Sequence, residues 1–446
     1  MRDTRTEAAP APVPEGATQA GEVRARWAWT EPTVWTERML TALEEGVKGG
    51  KWFSLIDKVY AARTLGAAWR QVCARAGAAG VDRQTVEQFT TQAEKHLQHL
   101  SGELRTDTYE PQPVRRCWIE KPGSVEKRPL GIPTVKDRVV QTALRMVLEP
   151  IFEREFHPHS YGFRPGRDCK EALRHVQRLL DDGAAWVVDA DIKSYFDTIL
   201  HQSLMTEMQG RVADGRVLKL LAAYLTQGVM EGLEQWTPEA GTPQGAVVSP
   251  LLANVYLHPV DEAMAAAGHE MVRYADDIVI LCRSEAEAQR ALAQLDGLLQ
   301  HRGLQLHPEK TRIVNAVEPG GFDFLGYHFE HGQRWPRRKS LRKFKDSIRE
   351  ITRRRTCGNS LAVTIQRLNP KLRGWFQYYQ HSWRWTFVGL DRWMRMRLRS
   401  ILRAHAGHRG RGGGPDHRRW PNAYFREQGL FSLVEAHRQQ LARRSL

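Results

Sequence analysis

The segment with the clearest chemical signature is Met271-Val272-Arg273-Tyr274-Ala275-Asp276-Asp277-Ile278-Val279-Ile280-Leu281-Cys282. Two adjacent carboxylates lie between two apolar runs rich in β-forming residues, which predicts a β-hairpin with Asp276 and Asp277 at its turn. Carboxylate oxygens are the ligands that hard divalent cations such as Mg²⁺ prefer. The segment therefore predicts a metal-binding turn. From these residues alone, the alternative is a solvated acidic turn.

A second acidic segment precedes the hairpin. Trp186 to Ile192 is predicted to be a buried strand with Asp189 and Asp191 on one face, because side chains two residues apart on a strand point the same way. Two-metal phosphoryl transfer needs carboxylates from separate elements at one point. One of these acids is thus a candidate third ligand, and each can instead cap the strand end or form an ion pair. Phe196 either lies under the sugar of an incoming nucleotide or belongs to the core.

Length and composition limit the classes of protein that fit. A chain of 446 residues predicts two or three domains. Its longest central stretch without charge, 241–260, contains three prolines and predicts no membrane span. The N-terminal residues lack the apolar core of a secretory signal, and the five cysteines have no paired spacing. These features predict reduced thiols and a cytoplasmic protein without membrane association.

The positive charge is concentrated in one part of the chain. Between His331 and Arg411 there are 22 Lys and Arg residues against three acids, a net +19. The whole chain is +15, so the remainder is −4. A single-sign block of this length predicts contact with a polyanion. Five tryptophans within it favour a folded basic domain over a solvated tail.

Local patterns divide the chain into five regions. We expect disorder over 1–28, a helical extension over 29–105, an α+β domain over 106–330, a basic helical domain over 331–409 and a tail over 410–446. Predicted helices cover 137–156, 168–180, 204–226, 249–267 and 285–301, and predicted strands cover 109–119, 186–192, 304–314 and 322–329. Prolines 111 and 113 favour an edge position for the first of these strands.

Seven short motifs follow one another in the order found in reverse transcriptases. Those shared with reverse transcriptases in general are Asp191-Ile192-Lys193-Ser194-Tyr195-Phe196, Thr242-Pro243-Gln244-Gly245, Tyr274-Ala275-Asp276-Asp277, Glu309-Lys310-Thr311 and Phe324-Leu325-Gly326. Arg128-Pro129-Leu130-Gly131-Ile132-Pro133 and Tyr161-Gly162-Phe163-Arg164-Pro165 resemble group II intron reverse transcriptases specifically. Leu368-Asn369-Pro370, Leu372-Arg373-Gly374-Trp375 and Tyr378-Tyr379 resemble the maturase (thumb) domain of that family. The resemblance covers about residues 35 to 430.

The resemblance implies a right-hand polymerase. Its fingers and palm, with an antiparallel sheet, would occupy 106–330, and an α-helical thumb/maturase domain would follow. The implied activity is RNA-directed DNA synthesis with two Mg²⁺ ions, for which Mn²⁺ could substitute. The implied partners are an RNA template, a DNA primer, group II intron RNA and target DNA, with roles in splicing and retrohoming. The alternatives are an RNA-binding splicing cofactor without required polymerase activity, or a domesticated reverse transcriptase in defence, repair or diversity generation.

The resemblance also assigns roles at the reaction centre. Asp191, Asp276 and Asp277 match the metal ligands, and Asp191 is preferred to Asp189 for its Ile-Lys continuation. Lys310 matches a lysine proposed to protonate pyrophosphate. The residues matching the deoxynucleotide contacts are Lys121, Arg128, Phe196 and Gln244.

The remaining matched positions are predicted to contact nucleic acid. They comprise two loop arginines, a primer grip and basic residues of the thumb: Arg164, Arg167, Phe324, Leu325, Gly326, Arg353, Arg354, Arg355 and Arg373. The aromatic residues Trp375, Tyr378, Tyr379 and Trp393 are expected in the helical core, with base stacking as the alternative. Many relatives end in a Cys/His endonuclease module. The last cysteine here is Cys357, so we expect that module to be absent.

Overall fold

The computed structural model describes residues 23–120, 127–232, 234–353, 360–408 and 413–443. Residues 1–22 of the predicted disordered segment 1–28 and the candidate residues Lys121, Arg354 and Arg355 lie outside these ranges. The disorder predicted over 23–28 is wrong, because 23–26 are helical and Trp27 is buried. The chain divides into two compact units. The first comprises Met1–Asp168, Asp191–Ile278 and Leu292–Pro308, and the second comprises Cys169–Ala190, Val279–Ala291 and Glu309–Leu446. No helix within the described ranges is long and apolar enough to cross a membrane.

The N-terminal region is helical, as predicted. Its helices are α1 (Glu37–Glu45), α2 (Ile56–Tyr60), α3 (Ala62–Arg75), α4 (Val86–Thr90) and α5 (Ala93–Thr106), with a 3₁₀ turn at Lys48–Gly50. Thr85 and Gln88 form a reciprocal capping box at α4. The buried side chains of α3 include Leu65, Ala68 and Val72, three or four residues apart, so one face of the helix packs inward.

A four-stranded sheet forms the fingers. Its strands β1 (Val114–Glu120), β2 (Lys127–Ile132), β4 (Val229–Glu231) and β5 (Glu234–Trp236) have the order β2-β1-β4-β5. Strands β1 and β2 pair antiparallel. The expected edge position of β1 is wrong, because β1 pairs with β2 on one side and with β4 on the other. Pro111 and Pro113 precede the first ladder residue, so they remove no donor from the sheet.

Within the described residues, seven helices alternate with the strands of the palm along the chain. They are α6 (Val135–Glu153), α7 (Cys169–Asp181), the short α8 (Tyr195–Thr198), α9 (His201–Arg211), α10 (Gly215–Leu225), α11 (Ser249–Ala266) and α12 (Glu285–His301). Thr134 caps α6 as predicted. The single helix predicted over 204–226 is instead two helices, because Asp214 caps α10 and also accepts bonds from the backbone of Leu55 and Ile56.

The palm sheet contains β3 (Trp186–Asp191), β6 (Glu270–Tyr274), β7 (Asp277–Cys282) and β8 (Arg312–Asn315) in the order β6-β7-β3-β8. The predicted acidic hairpin is confirmed, with Asp277 as the first residue of its second strand. The strand predicted over 304–314 is wrong in extent. Residues 308–310 form a turn, and the ladder begins at Arg312.

The last part of the second unit is a small sheet followed by helices. The strands β9 (Phe322–Phe324), β10 (Tyr327–Glu330) and β11 (Gln333–Pro336) pair antiparallel. The helices are α13 (Arg338–Ile351), α14 (Leu361–Tyr379), α15 (Arg384–His405), α16 (Gly414–Arg419), α17 (Asn422–Glu427) and α18 (Leu433–Ala442). Their shared core contains Phe344, Leu368, Phe387 and Phe425. The part of the tail described over 413–443 thus packs into this unit through Phe425.

Candidate active site

Two of the predicted metal ligands lie at one edge of the palm sheet. Ala185, just before β3, donates to the carbonyl of Cys282 at the end of β7, so these neighbouring strands run antiparallel. Each strand has six residues. Six residues on from this bond, Asp191 at the end of β3 is therefore opposite Asp276, which directly precedes β7. Asp277 follows as the first residue of β7, so all three aspartates belong to this edge of the sheet.

The backbone around Asp191 is held from both sides. Its carbonyl accepts a hydrogen bond from His307 N–H at 2.7 Å, and Lys193 N–H donates to Gln305 O at 2.9 Å. Ile192 forms a bridge with Leu306 between these two bonds. Asp191 is half-buried, so its carboxylate has limited freedom at the edge of the sheet.

A buried arginine fixes the acidic turn. The Arg273 side chain is 1% exposed and forms a fork with Asp261, with nitrogen–oxygen distances of 2.7 and 2.5 Å. Its remaining donor group bonds Asn254 Oδ1 and the carbonyl of Ala275, both at 3.0 Å. Burial opposes the charge of Arg273, but Asp261 more than offsets that effect and raises the pKa of the guanidinium. Ala275 has φ +60°, a left-handed conformation that this bond stabilises.

The loop that follows α6 packs directly against the same turn. Tyr161 N–H donates to Arg273 O at 2.9 Å, and Asn254 Nδ2 donates to Gly162 O at 2.8 Å. A Cβ at Gly162 would lie 2.3 Å from the backbone nitrogen of Ala275. Only glycine permits this close approach. The Tyr-Gly-Phe-Arg-Pro motif therefore positions the two aspartates of the turn.

The Thr-Pro-Gln-Gly loop joins the Phe196 turn to the fingers. Thr242 N–H donates to Phe196 O at 2.7 Å, and Gly131 N–H of β2 donates to Gln244 O at 2.7 Å. Gly241 has φ +90°, and a Cβ there would lie 2.8 Å from Phe196 O. The half-buried Phe196 ring packs edge-on against Phe163 at 6.3 Å. The loop thus holds Phe196 and Gln244 as one unit.

Beside this loop lies a cavity of about 290 Å³. Gln244 and Asp197 both line it, together with Arg116. Burial raises the pKa of Asp197, while Arg116 and a hydrogen bond from Gln244 oppose that rise. The hydrogen bond to Asp197 gives the Gln244 side chain a fixed position at the wall of this cavity.

The structure places several of the predicted residues in surroundings that the sequence did not specify. Asp189 pairs with Arg312 at 3.2 Å, which matches the ion-pair alternative. Asp191 is the last residue of the strand and lies at the carboxylate edge. Lys310 lies in the turn before β8 rather than in the strand. Phe324 is 3% exposed and packs within its sheet, so it cannot contact nucleic acid directly.

Arg164 is a correction of a predicted nucleic-acid contact. Its side chain is 4% exposed and binds Glu153 at 2.8 Å. It also donates to the carbonyls of His157 and Ser160, at 2.7 and 2.6 Å. All of these donors face inward, so Arg164 stabilises the loop that carries Gly162.

Other predicted contacts lie in accessible positions. Arg128 is exposed on β2, and Arg167 lies 5.4 Å from the Tyr161 ring. In the second unit, Arg353 is exposed at the end of α13, and the exposed Arg373 stacks on Phe431 at 4.8 Å. Leu325 and Gly326 form the β9–β10 turn, where the Tyr378 hydroxyl donates to Leu325 O at 2.7 Å.

The predicted aromatic core of the second unit is confirmed in part. Trp375 stacks on Phe344 at 4.4 Å, and Tyr379 is 8% exposed. Trp393 is only partly buried and lies within 6 Å of three cationic groups, those of Lys345, Arg349 and Arg397. Part of the Trp393 ring therefore packs on the core, and cationic side chains surround the part that is exposed.

Sequence reasoning missed the buried polar cluster of Arg273, Asp261 and Asn254. A signal was available: Arg273 interrupts the apolar strand β6, and Asp261 and Asn254 lie in the apolar helix α11. A charged residue inside an apolar run needs a buried partner. The spacing alone does not reveal that the three residues meet at one turn.

The donor set fits a divalent metal. Three carboxylates from a strand end and a turn provide hard oxygen ligands, and the Arg273 cluster restrains two of them. Asp191, Asp276 and Asp277 would hold the ions. The positions of those ions depend on substrate phosphates, which supply further ligands.

The fold and this carboxylate edge define a right-hand polymerase. The reverse transcriptase (RNA-dependent DNA polymerase) family matches residues 119–329, and the group II intron, maturase-specific domain matches residues 341–420. The chain belongs to the family of group II intron reverse transcriptases and maturases. The reverse transcriptase and maturase domains that the motifs imply are both present, in that order along the chain.

Curated relatives agree with this assignment. Protein YkfC of Escherichia coli K12 is 32% identical over 346 residues, 68% of this chain and 85% of that protein. The group II intron-encoded protein LtrA of Lactococcus lactis is 40% identical over 183 residues, 41% of this chain and 30% of LtrA. An uncharacterized 91 kDa protein in the cob intron of Schizosaccharomyces pombe is 32% identical over 289 residues, 52% of this chain and 35% of that protein. The match thus spans about a third of the length of the last two relatives.

Among solved structures, a partial Cas6-RT-Cas1–Cas2 complex is similar at 23% identity. The match covers 56% of this chain and 41% of that chain, with a TM-score of 0.35. This degree of likeness is too low to support an argument.

Proposed function

We propose that this chain is an active RNA-directed DNA polymerase that uses two Mg²⁺ ions. The observation that supports the proposal is the placement of Asp191, at the end of β3, opposite Asp276 on the neighbouring antiparallel hairpin, with Asp277 next in the chain. Bound ions would stabilise the attacking and leaving oxygens of phosphoryl transfer. An unused remnant of a polymerase has no requirement for the buried Arg273 cluster that restrains this turn.

Other side chains would bind the nucleotide and assist the leaving group. Arg128, exposed on the fingers strand, would contact the triphosphate of the incoming nucleotide. The Phe196 ring would exclude a 2′-hydroxyl, and the Gln244 side chain would contact the incoming nucleotide. Lys310 would supply a proton to pyrophosphate as a general acid, which requires contact with the leaving group during the reaction.

Primer extension tests the polymerase proposal. Purified protein receives an annealed RNA template, a DNA primer, dNTPs and Mg²⁺, in parallel with the Asp277→Ala variant. We expect extension by the wild type and loss of extension in the variant, with partial activity when Mn²⁺ replaces Mg²⁺. If the wild type also fails to extend the primer under several salt and metal conditions, the proposal is contradicted.

We also propose that the chain binds group II intron RNA and assists its splicing. The matched maturase domain includes α13, whose buried Phe344 and Ile348 face the core while a row of cations is exposed: Arg338, Lys339, Arg342, Lys343 and Arg349. Lys and Arg side chains grip A-form RNA through its phosphates. The intron's target DNA and a cytoplasmic location belong to the same proposal. Splicing of a cognate intron with and without the protein tests it.

A further inference from the structure

Exposed apolar side chains cluster at the start of α15. Trp383 is 47% exposed, Trp385 51% and Val388 36%. Monomeric proteins seldom expose large contiguous apolar patches without a binding role. We call Trp383, Arg384 and Trp385 the tryptophan platform.

The platform is held on a rigid base. Trp383 N–H donates to Arg334 O at 2.8 Å, and Thr386 N–H donates to Trp383 O at 2.9 Å. A cleft of about 350 Å³ adjoins it, lined by Trp383 and Arg384. The acidic residue in that lining, Asp181, accepts a hydrogen bond from Gln177 at 2.9 Å. The indoles therefore have a fixed backbone and open space beside them.

The charge around the platform favours a polyanion. The Arg384 guanidinium lies 4.8 Å from the Trp385 ring centroid. Helix α15 carries six arginines and a single acid, Asp391. Asp391 is buried and accepts hydrogen bonds from Ser432 and Leu433 at the start of α18, so it does not oppose the positive surface. An acidic ligand with flat aromatic groups complements this combination.

We propose that the tryptophan platform binds single-stranded RNA by stacking unpaired bases on Trp383 and Trp385, while Arg384 contacts a phosphate. Exposed indole faces accept unstacked bases, whereas the bases of an A-form duplex are already stacked on one another. The platform would thus select a loop or single-stranded junction of the RNA that the maturase domain binds. The inference rests on the proposed RNA-binding function and adds the strand state of the ligand.

The test compares two double variants of the full chain. Trp383→Phe with Trp385→Phe keeps aromatic faces, while Trp383→Leu with Trp385→Leu keeps apolar area only. Binding of a labelled, unstructured polyuridine RNA and of a matched RNA duplex is measured by fluorescence anisotropy. We expect the leucine pair to weaken single-strand binding by about tenfold or more, and the phenylalanine pair by much less. Duplex binding should be nearly unchanged in both variants.

Photocrosslinking identifies the contact directly. A polyuridine probe containing 4-thiouridine should crosslink to the peptide that contains Trp383 and Trp385 in the wild type. Equal single-strand affinity of the leucine pair, or crosslinks confined to other peptides, would overturn the proposal. A shift from dimer to monomer in the leucine pair would overturn it in favour of a second copy as the occupant. Primer extension on the same preparations separates this result from a failure of the polymerase proposal.

Discussion

At the scale of single residues, the aspartates of this chain differ in the partners that surround their carboxylates. Asp189 forms an ion pair with Arg312 at 3.2 Å, and Asp191 ends the strand beside the acidic turn. Asp137 is a third case, fully buried at the start of α6. It accepts hydrogen bonds from Tyr109 at 2.5 Å and Thr134 at 2.8 Å. Residue type alone therefore says little about the role of an aspartate in this chain.

The burial of Asp137 predicts a pH-dependent stability. Burial raises the pKa of Asp137 from 3.8 to about 6, although Tyr109, Thr134 and the Gln112 N–H oppose the rise. Between these values the folded chain keeps a proton that the unfolded chain has released. The free energy of unfolding should therefore fall by about 3 kcal/mol as the pH rises from 4 to 6 and then level off.

Denaturant unfolding of the wild type and the Asp137→Asn variant measures this effect. The asparagine keeps an acceptor for Tyr109 but has no charge to bury. The wild-type stability, relative to that of the variant, should decrease across pH 4 to 6. A difference that is constant with pH would show that Asp137 does not titrate in this window.

The chemistry of the candidate site was largely predictable from sequence, but the buried residues that hold the site in place were not. Adjacent aspartates between apolar runs marked the turn because few residue patterns place two charges on a buried hairpin. The roles of Arg273 and Arg164 were not predictable, because each depends on partners far along the chain. The same Arg-Pro motif that suggested a phosphate contact places Arg164 inside the loop.

At the scale of elements, glycines bring the site together by permitting close backbone contacts. Gly162 lies against Ala275 of the acidic turn, and Gly241 lies against Phe196. Each contact joins a loop to an element that carries a predicted site residue. Secondary structure was predictable where a cap or a continuous pattern marks it, as at Thr134. It was not predictable at Asp214, whose capping role divides one apolar pattern into two helices.

The Gly162→Ala substitution should displace the acidic turn. Its Cβ would lie 2.3 Å from the backbone nitrogen of Ala275, so the turn or the loop must move. We expect primer extension to fall by at least tenfold while RNA binding by the maturase domain persists. Gly210→Ala is the matched control, because a Cβ there has no atom within 4 Å. Full extension by the Gly162 variant would show that the turn adapts without loss.

Sugar selection should depend on Gly241. An alanine there has an unfavourable φ of +90° and a Cβ 2.8 Å from Phe196 O, so it should shift the Phe196 ring. We expect a several-fold change in the ratio of kcat/KM for dNTPs to that for rNTPs. Gly245→Ala is the control, because its close contact is with Gly131 O at 2.6 Å. That variant should lower kcat/KM for both nucleotides alike, and an equal change in selectivity would contradict the assignment.

At the scale of the whole molecule, the carboxylates and the basic helices fall in different compact units. Asp191, Asp276 and Asp277 belong to the first unit, and α13 to α18 belong to the second. Each unit has its own buried residues, including the Arg273 cluster in the first and the Phe344, Phe387 and Phe425 core in the second. The proposed polymerase chemistry and the proposed RNA binding therefore rest on different sets of side chains.

The two proposed activities should consequently separate by mutation. A variant with Asp276→Ala and Asp277→Ala removes two metal ligands from an accessible turn, so it should fold and bind intron RNA with wild-type affinity. It should also support splicing while losing primer extension. The reciprocal variant neutralises Arg342, Lys343 and Arg349 on the exposed face of α13 and should lose most intron affinity. It should still extend a primer at low salt, where fewer phosphate contacts suffice. Loss of splicing in the aspartate variant would contradict this separation and would mean that the acidic turn itself contacts the intron.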